Sequence, residues 1–320
     1  MTARIGLIGG RGYTGREILR LLAKRDDMEL VVASSRELAG QLVRDTAPEF
    51  DTDLRFESLD PAQMSRLDLD AIILALPNGV AQSYLPHIPD ETIVVDLSAD
   101  GRFDPAWTYG LPEIYGREAV RTAKRIANPG CYATCGQLAI APLRDRLTGP
   151  AHIFGVSGFS GAGMTPSRKN DPAVLKDNLI PYALSGHIHE REMSQHLGAP
   201  IRFSPHVAPF FRGLMTTVHM TLADGLEAET VRAIYADYYK DESLIEISVD
   251  APEPAAVAGF PGARIGGFSI SDDGRSLAVV SVLDNLLKGA AVQAMQNLAL
   301  ALGLQDDMFG TTSIGMNEAR

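Results

Sequence analysis

Both cysteines of this 320-residue chain lie in one short segment, NPGCYATC, at residues 128–135. Asn-Pro-Gly predicts a turn, and CGQLAIAPLRDRL after it has the apolar spacing of a helix. We therefore place Cys131 at or near a helix N-terminus, where the dipole and free N–H groups lower the pKa of a thiol. From position alone, a reactive and a structural Cys131 are both open. Cys135, one turn further among Ala, Leu and Ile, is predicted to be a small buried core residue.

A disulfide and a metal site are the other roles open to two cysteines. A disulfide between residues four apart on a helix has poor geometry, and the start of the chain shows no secretory signal, so we expect a reducing, cytoplasmic setting. A zinc site would need two more ligands, and the chain has no further cysteine. His187, His189 and Glu192 have the spacing of a two-histidine, one-carboxylate site. Because the thiol and a glycine-rich turn, GGRGYTG at residues 9–15, already offer other chemistry, we expect no metal.

A glycine-rich turn stands where a dinucleotide-binding protein needs one. Residues 4–8 (RIGLI) have the pattern of a short buried strand, and REILRLLAKRDD after GGRGYTG has helical spacing. Glycines allow the backbone to approach a pyrophosphate, which the helix N-terminus then faces. The residues predicted to contact the cofactor at this turn are Gly9, Gly12, Tyr13, Thr14 and Gly15.

The end of the second predicted strand distinguishes the two nicotinamide cofactors. In an NAD site this strand usually ends in Asp or Glu, which accepts a hydrogen bond from the ribose 2′-hydroxyl. Here MELVVASSR, residues 28–36, ends in Ser34, Ser35 and Arg36. Hydroxyls and a guanidinium suit a 2′-phosphate, so these residues predict NADP(H) rather than NAD.

Two further strands, within residues 67–79 and 92–100, flank a predicted helix, VAQSYLPHI. The pattern extends a parallel, doubly wound sheet, which binds ligands beyond the carboxyl ends of its strands. Pro77, Ser98 and Arg102 are therefore expected on the functional edge of the sheet.

From about residue 132 the pattern changes to an α+β domain with a mixed sheet. Strands are predicted within 152–161, 199–210, 214–224, 244–250 and 276–284, and helices near 186–196 and 227–239. Two glycine-rich segments, 157–163 (SGFSGAG) and 252–267, are predicted to be loops. LDNLLKGAAVQAMQNLALAL, residues 283–302, is predicted to be an amphipathic final helix.

Composition excludes several classes of partner. The formal net charge is −11 and the pI is about 5.1, which argues against nucleic acid or an acidic membrane surface. No run of eighteen apolar residues occurs, so we expect no membrane span. An anionic small molecule stays open, because a local basic pocket can lie inside an acidic protein.

Taken together, several motifs make the chain resemble the N-acetyl-gamma-glutamyl-phosphate reductases of arginine biosynthesis, in their shorter form, within the aspartate-semialdehyde dehydrogenase-like superfamily. The motifs are GGRGYTG, SSRELAG, LALPNGV, DLSADGRF, YGLPEI, NPGCYATC, SGFSGAG, HIHERE, FRGLMTTV and DNLLKGAAVQAMQN. The resemblance implies a Rossmann-type doubly wound parallel sheet plus an α+β domain with a mixed sheet. It also implies a dinucleotide-binding domain of residues 1–131 with 285–320, a catalytic, substrate and dimerisation domain of residues 132–284, and a homodimer or homotetramer.

The family reaction implies roles for individual residues. In this family the cysteine of NPGC attacks a small-molecule acyl phosphate, and NADPH delivers hydride to the thioester. Cys131 is then the nucleophile and His187 the acid/base, with His189 in reserve, while Asn285 and Lys288 lie near the nicotinamide. The residues predicted to bind the substrate are Ser98, Arg102, Asn128, Ser157, Gly158, His189 and Arg212.

Departures from the family pattern keep a second substrate class open, since Asn78, Gly101 and Arg191 stand where His, Phe and Pro are common. That alternative is reduction of a related acyl phosphate, aspartyl or carrier-bound aminoadipyl phosphate. A different alternative is an NADP-binding redox sensor without catalysis. Arg168 and Lys169, also considered for the substrate carboxylate, are expected at the surface.

Overall fold

The computed structural model describes residues 2–307; residues 308–320, which the predicted dinucleotide-binding domain includes, lie outside the described residues. The strands are β1 Ala3–Ile8, β2 Met28–Ser34, β3 Ala71–Leu74, β4 Ile93–Asp96, β5 Thr108–Tyr109, β6 Arg125–Ala127, β7 Ala151–Gly158, β8 Ile180–Pro181, β9 Ile201–Ala208, β10 Leu214–Thr221, β11 Ile245–Ile247, β12 Ala263–Ile270 and β13 Ser276–Leu283. The helices are α1 Tyr13–Leu22, α2 Pro112–Tyr115, α3 Arg117–Arg121, α4 Cys131–Ile140, α5 Pro172–Leu175, α6 Ile188–Leu197, α7 Ala228–Tyr238 and α8 Val292–Ala301.

The chain divides into two compact units. The first unit runs to Pro129 and resumes at Ala290, and the second unit is Gly130–Gly289. The first unit holds a six-stranded parallel sheet with the order β2-β1-β3-β4-β6-β5. Its strands are short apolar runs buried on both faces, as parallel sheets require. The Rossmann-type sheet predicted from the sequence is confirmed.

One helix expected in the first unit does not form. The segment VAQSYLPHI makes two short 3-10 turns, Ala81–Ser83 and Leu85–His87, between β3 and β4. The reason is Pro86, which lacks an N–H group and clashes with the preceding turn of an α-helix. The turns still cover the sheet, because Ala81 and Tyr84 are buried in the apolar core of this unit.

The second unit holds a seven-stranded mixed sheet with the order β11-β12-β13-β10-β7-β9-β8. The β7–β9 and β11–β12 pairs are parallel, and the others are antiparallel. Helices α4, α6 and α7 pack against this sheet. The predicted mixed-sheet domain is confirmed, and with it the predicted positions of the two helices that begin near residues 186 and 227.

Two of the predicted loops contain regular structure. Strand β7 continues through Ser157 and Gly158 and is followed by a 3-10 turn, Phe159–Ala162. Strand β12, Ala263–Ile270, begins inside the segment predicted as a loop at 252–267 and extends beyond it. Its glycines make the segment look like a loop in the sequence. The pairing register shifts after Gly266, and Gly267 has φ +68°. Both features indicate a β-bulge, which glycine accommodates.

The predicted final helix has two parts. A π-helical turn covers Leu287–Ala291, and α8 follows it in the first unit. Nearly every residue of α8 is buried, so this helix is part of the core rather than amphipathic. Within residues 2–307, no helix has the length and apolar character needed to cross a membrane.

Candidate active site

Cys131 is the first residue of α4, as the NPGC turn predicts. Gly130 is the N-cap, and no acidic residue occupies the first turn of the helix. The Cys131 side chain is half-buried and forms no disulfide with another described residue. Helix dipole and unpaired N–H groups at this position favour the thiolate form of a cysteine. The fully buried carboxylate of Glu192, on α6, accepts a hydrogen bond from the Gly130 N–H at 2.9 Å and fixes the turn.

His187 is the N-cap of α6. Its Nδ1 accepts a hydrogen bond from the His189 N–H at 3.1 Å, so the neutral ring carries its proton on Nε2. The rings of Tyr182 and Phe203 make edge contacts with it at 5.5 and 5.3 Å between centroids. Burial lowers the pKa of His187 below its ordinary value and the positive charge of Lys169 lowers it further. The imidazole is therefore neutral near pH 7.

One cavity of the second unit, of about 180 Å³, brings these groups together. It is lined by Cys131, Tyr132, Ser157, Gly158, Gly161, Ala162, Lys169, Tyr182, His187, Ile188, His189 and Val207. Five residues predicted for the site thus share one cavity: the nucleophile, both histidines, Ser157 and Gly158. Lys169 was expected at the surface, and this expectation is wrong for Lys169, whereas Arg168 is exposed.

The position of Lys169 follows from the loop that carries it. The neighbouring Asn170 donates from Nδ2 to the carbonyls of Gly163 and Thr165, both at 2.8 Å, and so pins the loop. The Lys169 ammonium lies over the Tyr182 ring, 4.7 Å from its centroid. Lys169 forms no ion pair with any carboxylate among residues 2–307. A half-buried cation that pairs with no carboxylate in the described part of the chain therefore faces the cavity.

Tyr182 is a cavity residue that no sequence motif indicates. Burial raises its pKa well above the ordinary value, and the nearby Cys131 adds to that effect. The ring is held because it packs on a small apolar cluster made of Leu175, Ile180 and Val207. The hydroxyl is therefore a neutral hydrogen-bond donor beside the thiol.

Hydrogen bonds of the Asn285 side chain hold the turn at residues 157–163 in place. Its Nδ2 donates to Ser160 Oγ at 2.8 Å, and its Oδ1 accepts from the Gly213 N–H at 2.9 Å. The neighbouring Asp284 is fully buried and pairs with Arg212 at 2.7 Å. Lys288 is fully buried in the π-helical turn. Contact of Asn285 and Lys288 with cofactor, and of Arg212 with substrate, stays a prediction.

Cys135 has the structural role that its apolar neighbours predict. It is fully buried, its thiol donates to the Ser281 carbonyl at 3.2 Å, and it accepts from Thr216 Oγ1 at 3.3 Å. Burial raises the pKa of this thiol to about 11. At neutral pH Cys135 is therefore a protonated, buried thiol with a structural role.

Three predicted substrate residues belong to the first unit. Ser98 Oγ donates to the buried Asp96 carboxylate at 2.6 Å, and the Arg102 guanidinium donates to the carbonyls of Asn128 and Leu97, both at 2.9 Å. The Asn128 amide oxygen accepts from Asn297 at 3.0 Å. All three predicted residues are buried and hold the carboxyl edge of the sheet together. Their contact with substrate stays a prediction.

The glycine turn between β1 and α1 fits a pyrophosphate. Gly9 has φ +97°, and a Cβ at Gly9 would lie 2.2 Å from the Ala75 carbonyl oxygen. A Cβ at Gly15 would lie 2.4 Å from the Gly9 carbonyl oxygen. Folding itself therefore requires these two glycines. A Cβ at Gly12, the helix N-cap, would meet only one atom within 4 Å, at 3.8 Å. Its lack of a side chain leaves open space in front of a helix N-terminus, which suits an anionic ligand.

The end of β2 adjoins this turn, since the N–H groups of Gly9 and Gly10 both donate to the Ser34 carbonyl at 3.0 Å. Ser34 and Ser35 are buried, and Arg36 is exposed. Arg36 makes no hydrogen bond or ion pair within the described part of the chain. Pro77 follows β3 on the same carboxyl edge and accepts from the Val80 N–H at 3.2 Å. The residues present at this edge therefore fit a nicotinamide dinucleotide.

Solved structures share this architecture. Aspartate semialdehyde dehydrogenase II of Vibrio cholerae superposes with a TM-score of 0.78 at 20% identity, covering 97% of this chain and all (100%) of that one. The aspartate semialdehyde dehydrogenase of Candida albicans, solved with NADP, gives a TM-score of 0.76 at 16% identity, with 95% and 99% covered. At these identities the likeness shows the fold.

Sequence relatives show the family. Residues 4–123 match the NAD-binding domain of the semialdehyde dehydrogenases, and residues 131–285 match their dimerisation domain. The N-acetyl-gamma-glutamyl-phosphate reductase of Xanthomonas campestris is 53% identical over 302 residues, covering 93% of this chain and 95% of that protein. The same-named protein of Xylella fastidiosa is 50% identical over 308 residues, with 95% and 94% covered. The resemblance found in the motifs is thereby confirmed, and this chain belongs to the N-acetyl-gamma-glutamyl-phosphate reductase family.

Proposed function

We propose that this protein reduces N-acetyl-gamma-glutamyl phosphate to N-acetylglutamate 5-semialdehyde and phosphate, with NADPH as the hydride source. The observation that carries the proposal is the cavity in which a thiol at a helix N-terminus, a neutral imidazole and a lysine lie together. Among the described residues this lysine has no anionic partner. Those groups supply a nucleophile, a hydrogen-bond donor and an anion-binding charge, which reduction of an acyl phosphate needs. Relatives that are 53% and 50% identical to this chain are named N-acetyl-gamma-glutamyl-phosphate reductase.

Cys131 begins the reaction. Its thiolate sulfur attacks the acyl carbon, the carbonyl π bond moves to oxygen, and the bond from carbon to the phosphate oxygen then breaks. Phosphate leaves with that electron pair, and a thioester on Cys131 remains. The covalent step holds the carbonyl in one orientation for the second half of the reaction.

His187 assists at the carbonyl oxygen. Because its Nδ1 accepts from the His189 N–H, the atom offered to the cavity is Nε2–H, a donor. Nε2 stabilises the negative oxygen in both tetrahedral states, as a preorganised donor does. Tyr182 offers a second neutral donor on the cavity wall. The resemblance to the family implies an acid/base role for His187, and we propose that His187 acts by donating a hydrogen bond from Nε2.

When bound, reduced nicotinamide supplies a hydride to the thioester carbon. The resulting tetrahedral alkoxide on Cys131 collapses: the carbonyl re-forms, the carbon–sulfur bond breaks, and the sulfur leaves as thiolate. This half of the reaction requires no net proton, because the one proton consumed overall is taken up from solvent by the departing phosphate. A donor that hydrogen-bonds to the carbonyl oxygen without transferring its proton is therefore sufficient. The residues we assign to holding the pyrophosphate and adenosine end are those of the β1–α1 turn and of the end of β2.

Lys169 is the group we assign to an anionic end of the substrate. Among the described residues that line the cavity, it is the only lysine or arginine. The substrate carries a carboxylate and a phosphate, and a half-buried ammonium binds such groups through charge-assisted hydrogen bonds. Arg212 is committed to Asp284 within the protein, which makes Lys169 the better candidate for the carboxylate.

We also propose a cofactor preference, an oligomeric state and a cellular location. NADP(H) rather than NAD is favoured by Ser34, Ser35 and Arg36 at the end of β2, where an acid is missing. A homodimer or homotetramer is favoured by the match to a dimerisation domain. A cytoplasmic location suits a chain whose two cysteines are both free thiols.

The reaction run in reverse tests the proposal. Purified protein is mixed with NADP, phosphate and N-acetylglutamate semialdehyde, and NADPH absorbance is followed, with aspartate semialdehyde as the competing substrate. We expect NADPH formation that requires phosphate and prefers the acetylated aldehyde. A preference for aspartate semialdehyde would transfer the assignment to aspartyl phosphate, and nucleotide binding without turnover of either aldehyde would overturn the enzyme assignment.

A further inference from the structure

We propose that Arg11, in the glycine turn, is a second cation for the 2′-phosphate of NADP(H), held in position by Glu37. The inference rests on the proposed use of NADPH and extends it to a residue outside the end of β2. Arg11 precedes Gly12, the N-cap of α1, and so belongs to the loop that faces the pyrophosphate.

Arg11 and Glu37 form a two-point ion pair. Arg11 Nε lies 2.8 Å from Glu37 Oε2, and Nη1 donates to Oε1 at 3.1 Å. A guanidinium has five N–H donors, and the hydrogen bond to Glu37 uses one of them, on Nη1. The remaining donors of Arg11, including those on Nη2, bond no other residue in the described part of the chain. The free edge of the fork is available to a ligand.

The backbone brings this free edge to the end of β2. Because the N–H groups of Gly9 and Gly10 donate to the Ser34 carbonyl, the residue after them lies beside the Ser34–Arg36 segment. Arg36, which is exposed and has no partner among residues 2–307, lies on that segment. Two guanidinium groups therefore flank the position at which the ribose 2′-substituent of a dinucleotide lies in this fold.

Charge explains why both arginines are needed. A phosphate monoester carries close to two negative charges at neutral pH. Arg11 and Glu37 together carry no net formal charge, so Arg36 supplies the uncompensated positive charge and Arg11 supplies oriented N–H donors for the phosphate oxygens. The side chains of Arg11 and Glu37 are 41% and 63% exposed, and ion pairs this exposed contribute little to folding. The pair is therefore better explained as orienting Arg11 than as stabilising the fold.

Equilibrium binding of two small probes tests the inference without turnover. Adenosine 2′,5′-bisphosphate and 5′-AMP are titrated calorimetrically into wild type, Arg11→Met and Arg11→Lys. Arg4→Met is the matched control, because Arg4 forms a similar ion pair with Asp68, 45% exposed on the arginine, at the amino end of β1.

We expect Arg11→Met to weaken bisphosphate binding about tenfold, as loss of a charge-assisted hydrogen bond does, and to leave 5′-AMP binding unchanged. Arg11→Lys retains part of the affinity, and Arg4→Met behaves as wild type. An unchanged bisphosphate affinity in Arg11→Met, with wild type still preferring the bisphosphate, overturns the Arg11 assignment alone. A wild type that binds both probes equally overturns the proposed NADP preference itself.

Discussion

The buried carboxylate of Glu192 accepts a hydrogen bond from the Gly130 N–H at 2.9 Å, one residue before Cys131. Glu192 lies on α6, the helix that His187 caps, and Gly130 caps α4. A single contact therefore ties together the helices that carry the proposed nucleophile and donor. Gly136 lets α6 approach closely, since a Cβ there would lie 2.6 Å from the sulfur of Met193.

Glu192→Ala should disorder the cysteine turn, because the Gly130 N–H loses its acceptor in a buried setting. An unsatisfied buried donor costs about 1–3 kcal/mol in the free energy of unfolding. We expect a slower alkylation of Cys131 by iodoacetamide and a lower kcat in this variant. Glu192→Gln retains an acceptor oxygen and should recover most of both. Wild-type alkylation and turnover in Glu192→Ala would show that the contact does not position Cys131.

Lys169→Met should raise the KM for the aldehyde substrate about tenfold, with a smaller effect on kcat, because a charge-assisted hydrogen bond is lost. Arg168→Met, a neighbouring exposed position, is the matched control and should behave as wild type. The KM for phosphate, measured in the same reverse reaction, separates the two anions of the substrate. If the phosphate KM alone rises, Lys169 binds the phosphate and not the carboxylate.

The His187 imidazole should titrate below 6.5, its ordinary value, when its ring signals are followed by NMR. Burial is the largest cause and Lys169 the next, while Glu192 and Glu190 oppose them. Because the lowered pKa favours the neutral ring in the folded protein, the associated stability is present above pH 6.5 and is lost as the pH falls through the lowered pKa. Lys169→Met should raise the pKa of His187. An unchanged titration in that variant would remove Lys169 as a cause.

Gly289→Ala should impair the site through Cys131. A Cβ at Gly289 would lie 2.8 Å from Cys131 Cβ and 3.1 Å from Leu283 Cδ1, so the cysteine or the π-helical turn must shift. We expect at least a tenfold loss of kcat, since small displacements of a nucleophile are costly (about 1.4 kcal/mol per factor of ten). Gly149→Ala is the control, because a Cβ there meets nothing within 4 Å. Full activity in Gly289→Ala would contradict the tight packing of the cysteine.

Local patterns predicted the parts of the site that depend on short segments. The NPGC turn and the β1–α1 glycine turn are each defined by a few adjacent residues, so their geometry follows from turn and helix chemistry. Lys169 and Tyr182 could not be found in this way. Lys169 faces the cavity because Asn170 pins its loop, and Tyr182 because a cluster around Ile180 holds its ring.

Long-range contacts and irregular elements are not predictable from local sequence patterns. Glu192 carried a metal-ligand pattern in the sequence, yet its partner is a backbone N–H 62 residues away in the chain. Strand β12 was hidden because Gly266 and Gly267 lower strand propensity and mark a bulge. The missing helix after β3 was predictable in hindsight from Pro86, which apolar spacing alone does not weigh.

The proposed reaction depends on a covalent thioester on Cys131, which a single turnover without phosphate would trap. Protein is mixed with NADP and N-acetylglutamate semialdehyde, NADPH is recorded in the first turnover, and the protein is then digested for mass spectrometry. In wild type and Cys135→Ala we expect a burst of one NADPH per active site. We also expect an N-acetylglutamyl mass on the peptide that contains Cys131, with fragmentation locating the group on that residue. Cys131→Ser should show neither. A burst of NADPH in Cys131→Ser, or an acyl group located on another residue, would show that Cys131 does not form the thioester.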